Sequence, residues 1–382
     1  MIGMKAGLSE ELRLLDGMAR DFALKELVEE REERDHYPFA PPWEGVLEKA
    51  RQVGFFSILL PEELGGAAEP VGALCLVLEE VCREDASLGG AVFTVALAQE
   101  LMRLAGASQR LREIFSGAGS LRDALLAFPS FHNPGDTPPS LAAARGRDGW
   151  LLSGKVEYVV LGNLASRALL PARVEGEEGF SLFLVDLAAD GVEAGEPVLS
   201  LGLHACPAVD LALSGAAGEQ VGETGRGEEY FERAADRLSV AAAAASCGVI
   251  KGSFQTALDY ARQRMQGGRE IVNWSEVRMI LSSMAVRGKT AEMLVRQAAR
   301  AVDGEEPGWE LASRAAALAV QEEAAEVTCD GIQLLGGNGY MQDYGQEKRF
   351  RDAKHLQALL GMVPLRRLRY IRRIVEGESP WD

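Results

Sequence analysis

Apolar positions near the start of the chain recur at helical spacing. Leu12, Leu15, Ala19 and Phe22 follow one another at intervals of three and four, which gathers them on one stripe of an amphipathic helix. Ser9 stands before the stripe as a cap, and Glu10 and Glu11 occupy the first turn, where the helix's positive end favours acidic groups. The charged run Glu29 to Asp35 reads as the solvated end of this helix, and Pro38, Pro41 and Pro42 then break the chain. A short helix is expected next, followed by an apolar segment, Gly54 to Leu60, that leaves through a Pro61-to-Gly66 turn. Helical spacing then continues to about Phe115.

The period changes near Gly117. From there to about Gly227 the apolar runs are short, alternate with polar residues and are punctuated by Gly and Pro. Trp150-Leu151-Leu152 follows an Arg147-Asp148-Gly149 turn, a hairpin signal, and Ala168 to Leu170, Phe180 to Val185 and Val209 to Leu213 read as strands. Helical spacing returns at Glu228: Ile280, Met284, Ala291, Leu294, Ala298 and Val302 hold one face over several turns. The alanine run Ala241 to Ala245 reads as a tightly packed helix. Gly304 to Gly308 is a connection, and a last long helix leads to a run of glycines, a length and spacing that suit a four-helix bundle. The expected class is α+β, in three domains: helical over 1–118, a β-barrel over 119–227, and a helical bundle over 228–382.

Composition narrows the functional classes. The chain has 382 residues, 47% of them hydrophobic and 25% charged, as in an ordinary soluble globular protein with ample core. Its formal net charge of −17 opposes nucleic acid and anionic membrane surfaces, so a polyanionic ligand needs local basic groups. Cys75, Cys82, Cys206, Cys247 and Cys329 are far apart and form no metal-binding pair; with four scattered histidines, no metal site is expected. The start does not read as a secretory signal and no apolar run reaches transmembrane length, which makes a cytoplasmic protein the expectation.

The candidate chemistry lies at the end of the last long helix. Gly331-Ile332-Gln333-Leu334-Leu335-Gly336-Gly337-Asn338-Gly339-Tyr340 stops the helix with glycines that tolerate positive φ, and such a turn can offer N–H groups to a diphosphate. Arg351-Asp352-Ala353-Lys354 follows shortly. Together these resemble the C-terminal signature of the acyl-CoA dehydrogenases, Q-x-x-G-G-x-G followed by Tyr or Phe and then R-D-A-K. The Pro61 to Gly66 turn and the segment Leu78 to Ser87 are similar to further motifs of that family.

The resemblance implies an FAD flavoprotein that dehydrogenates an acyl-CoA thioester at α,β, as in fatty acid metabolism. Such a reaction needs a base for the weakly acidic α-proton and the flavin as acceptor of the β-hydride. It also implies a dimer or tetramer, with Leu311, Ala315 and Leu318 offering an apolar face to neighbours, and an electron-transfer flavoprotein as possible acceptor. By the same resemblance Arg264 meets the FAD diphosphate across a subunit interface, while Gln333, Gly336 and Gly337 carry the adenosine side.

Other positions depart from the family. Its usual catalytic glutamate is Leu360 here, followed by the expected Gly361 and then Met362 in place of threonine. The flavin-stacking tryptophan of the barrel is Glu157, the flavin-bonding threonine is Val159, and the phenylalanine after Arg264 is Gly267. Where some relatives carry the base on the first helix of the bundle, this chain has Leu238, with Asp236 two residues away as the remaining carboxylate candidate; the position of the CoA-binding arginine falls on Ser239, with Arg237 nearby. His132 and His355 lie near family site positions. Three functions fit: a dehydrogenase with an unusual base, a silent subunit that completes the FAD site of an active paralogue in a hetero-oligomer, and a related flavin oxidase or monooxygenase.

Overall fold

A computed structural model describes residues 9–29, 31–36, 43–116, 118–147, 149–379 and 381. The proline break, Gly117 and Asp148 lie outside these residues. The first helices are α1 (Glu10–Glu26), α2 (Glu44–Gln52), α3 (Val71–Glu84), α4 (Ala86–Leu104), α5 (Ser108–Phe115) and α6 (Leu121–Ala124). Ser9 caps α1 as expected, its Oγ accepting from Leu12 N at 3.2 Å. Ala19 and Phe22 are buried beneath it. The acidic run after α1 is not simply a solvated end. Asp35 closes a short 3-10 turn, is buried, and receives Arg351 and His204.

The middle of the chain forms β1 (Leu126–Ala127), β2 (Ala142–Arg145), β3 (Trp150–Val160), β4 (Arg167–Val174), β5 (Ser181–Asp186), β6 (Val192–Pro197) and β7 (Ala208–Val221). Strands β4, β2, β3, β7 and β5 run in that order, and the β4–β5 pairing closes them into a ring, with β1 on β4 and β6 on β7. Closure leaves few free edges, which is how a small sheet avoids pairing with other chains. The expected strands fall on β3, β4, β5 and β7, with Phe180 one residue ahead of β5. β2 and β6 carry too little apolar alternation to announce themselves: β6 reads Val-Glu-Ala-Gly-Glu-Pro and is almost wholly exposed.

The bundle comprises α7 (Gly227–Gln263), α8 (Ser275–Gly304), α9 (Trp309–Leu335), α10 (Gln346–Leu356) and α11 (Val363–Val375), with a small hairpin, β8 (Met265–Gln266) and β9 (Arg269–Glu270), between α7 and α8. Every residue of Ala241 to Ala245 is fully buried in α7. Helix α3 lies directly against α7, and glycine permits it: a Cβ on Gly248 would stand 2.3 Å from the Glu79 carbonyl oxygen. Leu311 and Leu318 are only 3% and 8% exposed and Ala315 is half-buried, so most of the face expected to meet a neighbouring subunit is already covered within the chain. An exposed apolar stripe lies instead on α8, where Met279, Val286 and Met293 recur seven residues apart at 71%, 62% and 55% exposure.

The R-D-A-K segment falls on α10 and is a tether. Asp352 accepts from Leu203 N at 2.8 Å and from Lys348 at 2.6 Å, and Lys348 reaches Asp85 at the α3–α4 junction at 3.2 Å. Arg351 binds Glu347 and Asp35, while Lys354 is exposed. Buried charges survive only when paired in this way. Among the described residues no helix is long and apolar enough to cross a membrane, and no group of His, Cys, Asp and Glu has the arrangement of a metal site.

Candidate functional site

The turn between α10 and α11 keeps a demanding backbone. Leu360 has φ of 65°, a left-handed conformation rarely taken by a bulky side chain, and Gly361 follows at 110°. The Leu360 amide donates to the Ser130 carbonyl at 3.0 Å, which fastens the turn to the loop after β1. Its side chain is 2% exposed and lines a cavity of about 10 Å³ with Asn133, Glu232, Arg314, Arg366 and Arg369. No carboxylate stands at position 360, the position that the sequence resemblance aligns with the family's base.

Charged side chains fill the surroundings of Leu360. Glu232 Oε1 accepts from Asn133 Nδ2 at 2.9 Å and lies 3.3 Å from Arg369 Nε; its Oε2 accepts from Arg314 Nη2 at 2.8 Å. Arg369 also donates to Asp136. Asp236 is held outside the cavity lining, its Oδ1 accepting from Arg314 Nε and from Arg373 Nη1 at 2.5 Å each. Burial pushes the Asp236 carboxyl up and the two arginines oppose it, leaving it above the ordinary carboxylate value. With both arginines on it, Asp236 is a structural ion-pair partner. Ser239 is buried with its hydroxyl donating to the Ala235 carbonyl, and Arg237 points to Glu100 at 3.6 Å, away from the cavity. Leu238 is fully buried.

The barrel face is equally altered. Glu157 turns outward at 76% side-chain exposure, and Val159 is buried without a hydroxyl to offer. A bulge in β3 puts Tyr158 at φ of 55°, with its amide on Asp210 Oδ1 at 3.0 Å. Its hydroxyl meets His355 Nε2 at 2.8 Å, and His355 Nδ1 lies 2.8 Å from the Gly202 carbonyl. Since Nδ1–H donates to that carbonyl, Nε2 is the acceptor and the hydroxyl the donor. The Phe131 ring stands 4.6 Å from the His355 ring and 5.8 Å from Tyr158. Burial lowers the pKa of both His132 and His355, and both nitrogens of His355 are engaged, so it is no free base.

The far end of the bundle presents a different picture. Arg264 caps α7 and Gln333, Gly336 and Gly337 close α9, all exposed. Tyr260 joins the two ends: its hydroxyl accepts from Asn338 Nδ2 at 3.0 Å, and its carbonyl accepts the Arg264 amide at 2.9 Å. Gly336 has φ 60° and ψ −133°, a conformation that needs glycine, and a Cβ on Gly336 or Gly337 would meet nothing within 4 Å. Space is therefore open for a ligand backbone or phosphate to approach. At Gly267 a Cβ would come within 2.8 Å of the Trp274 ring, so the indole covers the flank left bare by the missing phenylalanine.

Tested against FAD, the two halves disagree. The exposed glycine turn and Arg264 suit a diphosphate reaching in from another subunit. On the barrel side, Tyr158, Phe131 and His355 close on one another, and neither an aromatic platform nor a hydroxyl remains at 157 and 159. The four cofactor positions expected from the sequence thus lie together on one exposed end, whereas Asp236 lies in an ion network. That network was not anticipated, although Arg366, Arg369 and Arg373 share one face of α11 and their spacing was its available signal.

Comparison with known proteins agrees with this architecture. Residues 9–114 match the model of the acyl-CoA dehydrogenase N-terminal domain, and residues 225–374 that of its C-terminal domain. A caffeyl-CoA reductase–Etf complex subunit, CarC, of Acetobacterium woodii is 28% identical over 91% of this chain and 93% of its own. An acyl-CoA dehydrogenase of Bacillus subtilis is 29% identical over 97% of this chain and 99% of its own. In fold, the chain is similar to butyryl-CoA dehydrogenase from Megasphaera elsdenii, with a TM-score of 0.87, 22% identity, and coverage of 97% of this chain and 100% of that one. With both terminal domains matched and the whole length shared with such relatives, this chain belongs to the acyl-CoA dehydrogenase family.

Proposed function

We propose that this chain is a silent subunit of a hetero-oligomeric acyl-CoA dehydrogenase, contributing Arg264, Gln333, Gly336 and Gly337 to FAD held by an active paralogue. The observation that carries this reading is the surroundings of Leu360. A buried leucine stands where an α-proton must be removed, and the carboxylates around it, Glu232 and Asp236, are occupied by arginines. General-base catalysis contributes roughly 10²–10⁴ in rate, and a weakly acidic α-proton calls for the upper end of that range. A dehydrogenase with a substitute base has no side chain of this kind in its favour. An oxidase or monooxygenase could dispense with the base, but it would need the barrel-side flavin contacts that are replaced here.

Arg264, Gln333, Gly336 and Gly337 have the opposite character: they are exposed, and Tyr260 ties the ends of α7 and α9 that carry them. CarC is named as a subunit of a complex with Etf, which supports an electron-transfer flavoprotein as the partner of the whole assembly. The test is co-expression with an acyl-CoA dehydrogenase paralogue from the same source. A stable complex that loses FAD when Arg264 here becomes Ala, with both chains still folded, supports the assignment. Full FAD occupancy in that variant refutes it.

A further inference from the structure

The cavity beside Leu360 is lined by three guanidinium groups and one carboxylate, Arg314, Arg366, Arg369 and Glu232. Both oxygens of Glu232 are taken by Asn133, Arg369 and Arg314. The remaining cationic side is under-satisfied. Arg366 is 7% exposed, and its Nη1 donates to Gln321 Oε1 at 2.7 Å and to the Leu359 carbonyl at 3.1 Å. Its Nη2 has no hydrogen-bond partner among the described residues, and neither has Arg369 Nη1. Arg366 also forms no ion pair with a carboxylate among those residues, and burial together with Arg314 lowers its pKa to about 10. A buried cation with an unpaired donor is costly unless something negative meets it.

We infer that this cavity is a binding site for one monatomic anion, a halide, held by Arg366 Nη2 and Arg369 Nη1. Size and donor chemistry both select it. A volume of about 10 Å³ holds a single body near the size of a water molecule. A water there could donate to Asn133 Oδ1 and to the Ser239 hydroxyl, but it would leave the buried Arg366 cation without the negative partner it lacks among the described residues. An anion meets both unpaired guanidinium donors and supplies that charge. The charged groups facing the site from every packed element are Glu232 of α7, Arg314 of α9, and Arg366 and Arg369 of α11; Asp136 and Asp236 lie behind them on the arginines. The bound ion would lock α11 onto α7 and α9. This inference does not depend on the flavin reading.

Bromide is the probe. Crystals of the full chain grown or soaked in bromide should show an anomalous peak within hydrogen-bond distance of Arg366 and Arg369. In solution, replacing gluconate with bromide at fixed ionic strength should raise the Tm by about 2 °C, a shift expected of modest binding to the folded state alone. Arg366→Met should abolish both effects. If that variant fails to fold, Leu360→Glu serves instead, because it places a tethered carboxylate beside the same donors and should expel the ion. Ordered water without an anomalous signal at saturating bromide would overturn the inference, as would a bromide shift unchanged in either variant.

Discussion

At the residue scale the decisive position is 360. A glutamate introduced there need not be an unpartnered buried charge, because unpaired donors of Arg366 and Arg369 lie in the same lining. Leu360→Glu is therefore expected to fold, with a stability change within about 2 kcal/mol by urea unfolding. Those same arginines would hold the new carboxyl down and make it a poor base. The variant should gain no measurable dehydrogenation of a straight-chain acyl-CoA, and brisk turnover would show that the arginines do not control the site. Asp236 gives the complementary case. Asp236→Asn leaves Arg314 and Arg373 without their shared partner, and breaking a buried pair costs on the order of 3 kcal/mol. The expected loss appears in the unfolding curve; an unaltered curve with abolished activity would instead identify Asp236 as a base.

At the element scale, α10 and α11 make the site what it is. Helix α11 is amphipathic in an unusual sense. Arg369 and Arg373 face inward to acids of the bundle and the loop after β1 and Arg366 to Gln321, while Leu368, Ile371 and Val375 are 61%, 50% and 79% exposed. A periodic pattern reports that a helix has two faces, but the apolar face is here the outer one. That is why the arginine network around Leu360 went unread despite the spacing of Arg366, Arg369 and Arg373, whereas the α10 motif and the glycine turn could be read. Helix α10 is anchored to the turn after α1 through Asp35. Burial pushes the Asp35 carboxyl up, but hydrogen bonds from His204 and Arg351 outweigh it and hold it at about 2. Its folded value lies below the unfolded one near 3.8, so the stabilisation is fully present above that value and is lost as pH falls toward 2. It amounts to about 2 kcal/mol. Asp35→Asn should flatten the acid limb of stability between roughly pH 4 and pH 2; an unchanged limb would mean that the tether is energetically idle.

At the scale of the whole molecule, the helical spacing of α1, α8 and α9 and the period-two runs of β3, β4, β5 and β7 carried the architecture. Strands such as β6, without apolar alternation, did not declare themselves. The association surface was misjudged from Leu311 and Leu318 because spacing identifies an apolar face but not what covers it. Met279, Val286 and Met293 are the exposed alternative. Val286→Asp should weaken self- or paralogue association, with a lower mass by light scattering and an unchanged far-UV circular dichroism spectrum; an unchanged mass would remove α8 from the interface.

The central claim is that this chain lends a flavin-binding end to another subunit and performs no α,β-dehydrogenation itself. Its most direct test is the visible spectrum of the protein, purified alone and with an active paralogue, before and after anaerobic addition of a straight-chain acyl-CoA. The account predicts flavin well below one per chain in the isolated protein and no bleaching there. It predicts flavin that bleaches in the complex, in proportion to the active subunit. One FAD per chain in the isolated protein, bleached rapidly by the acyl-CoA, would contradict it.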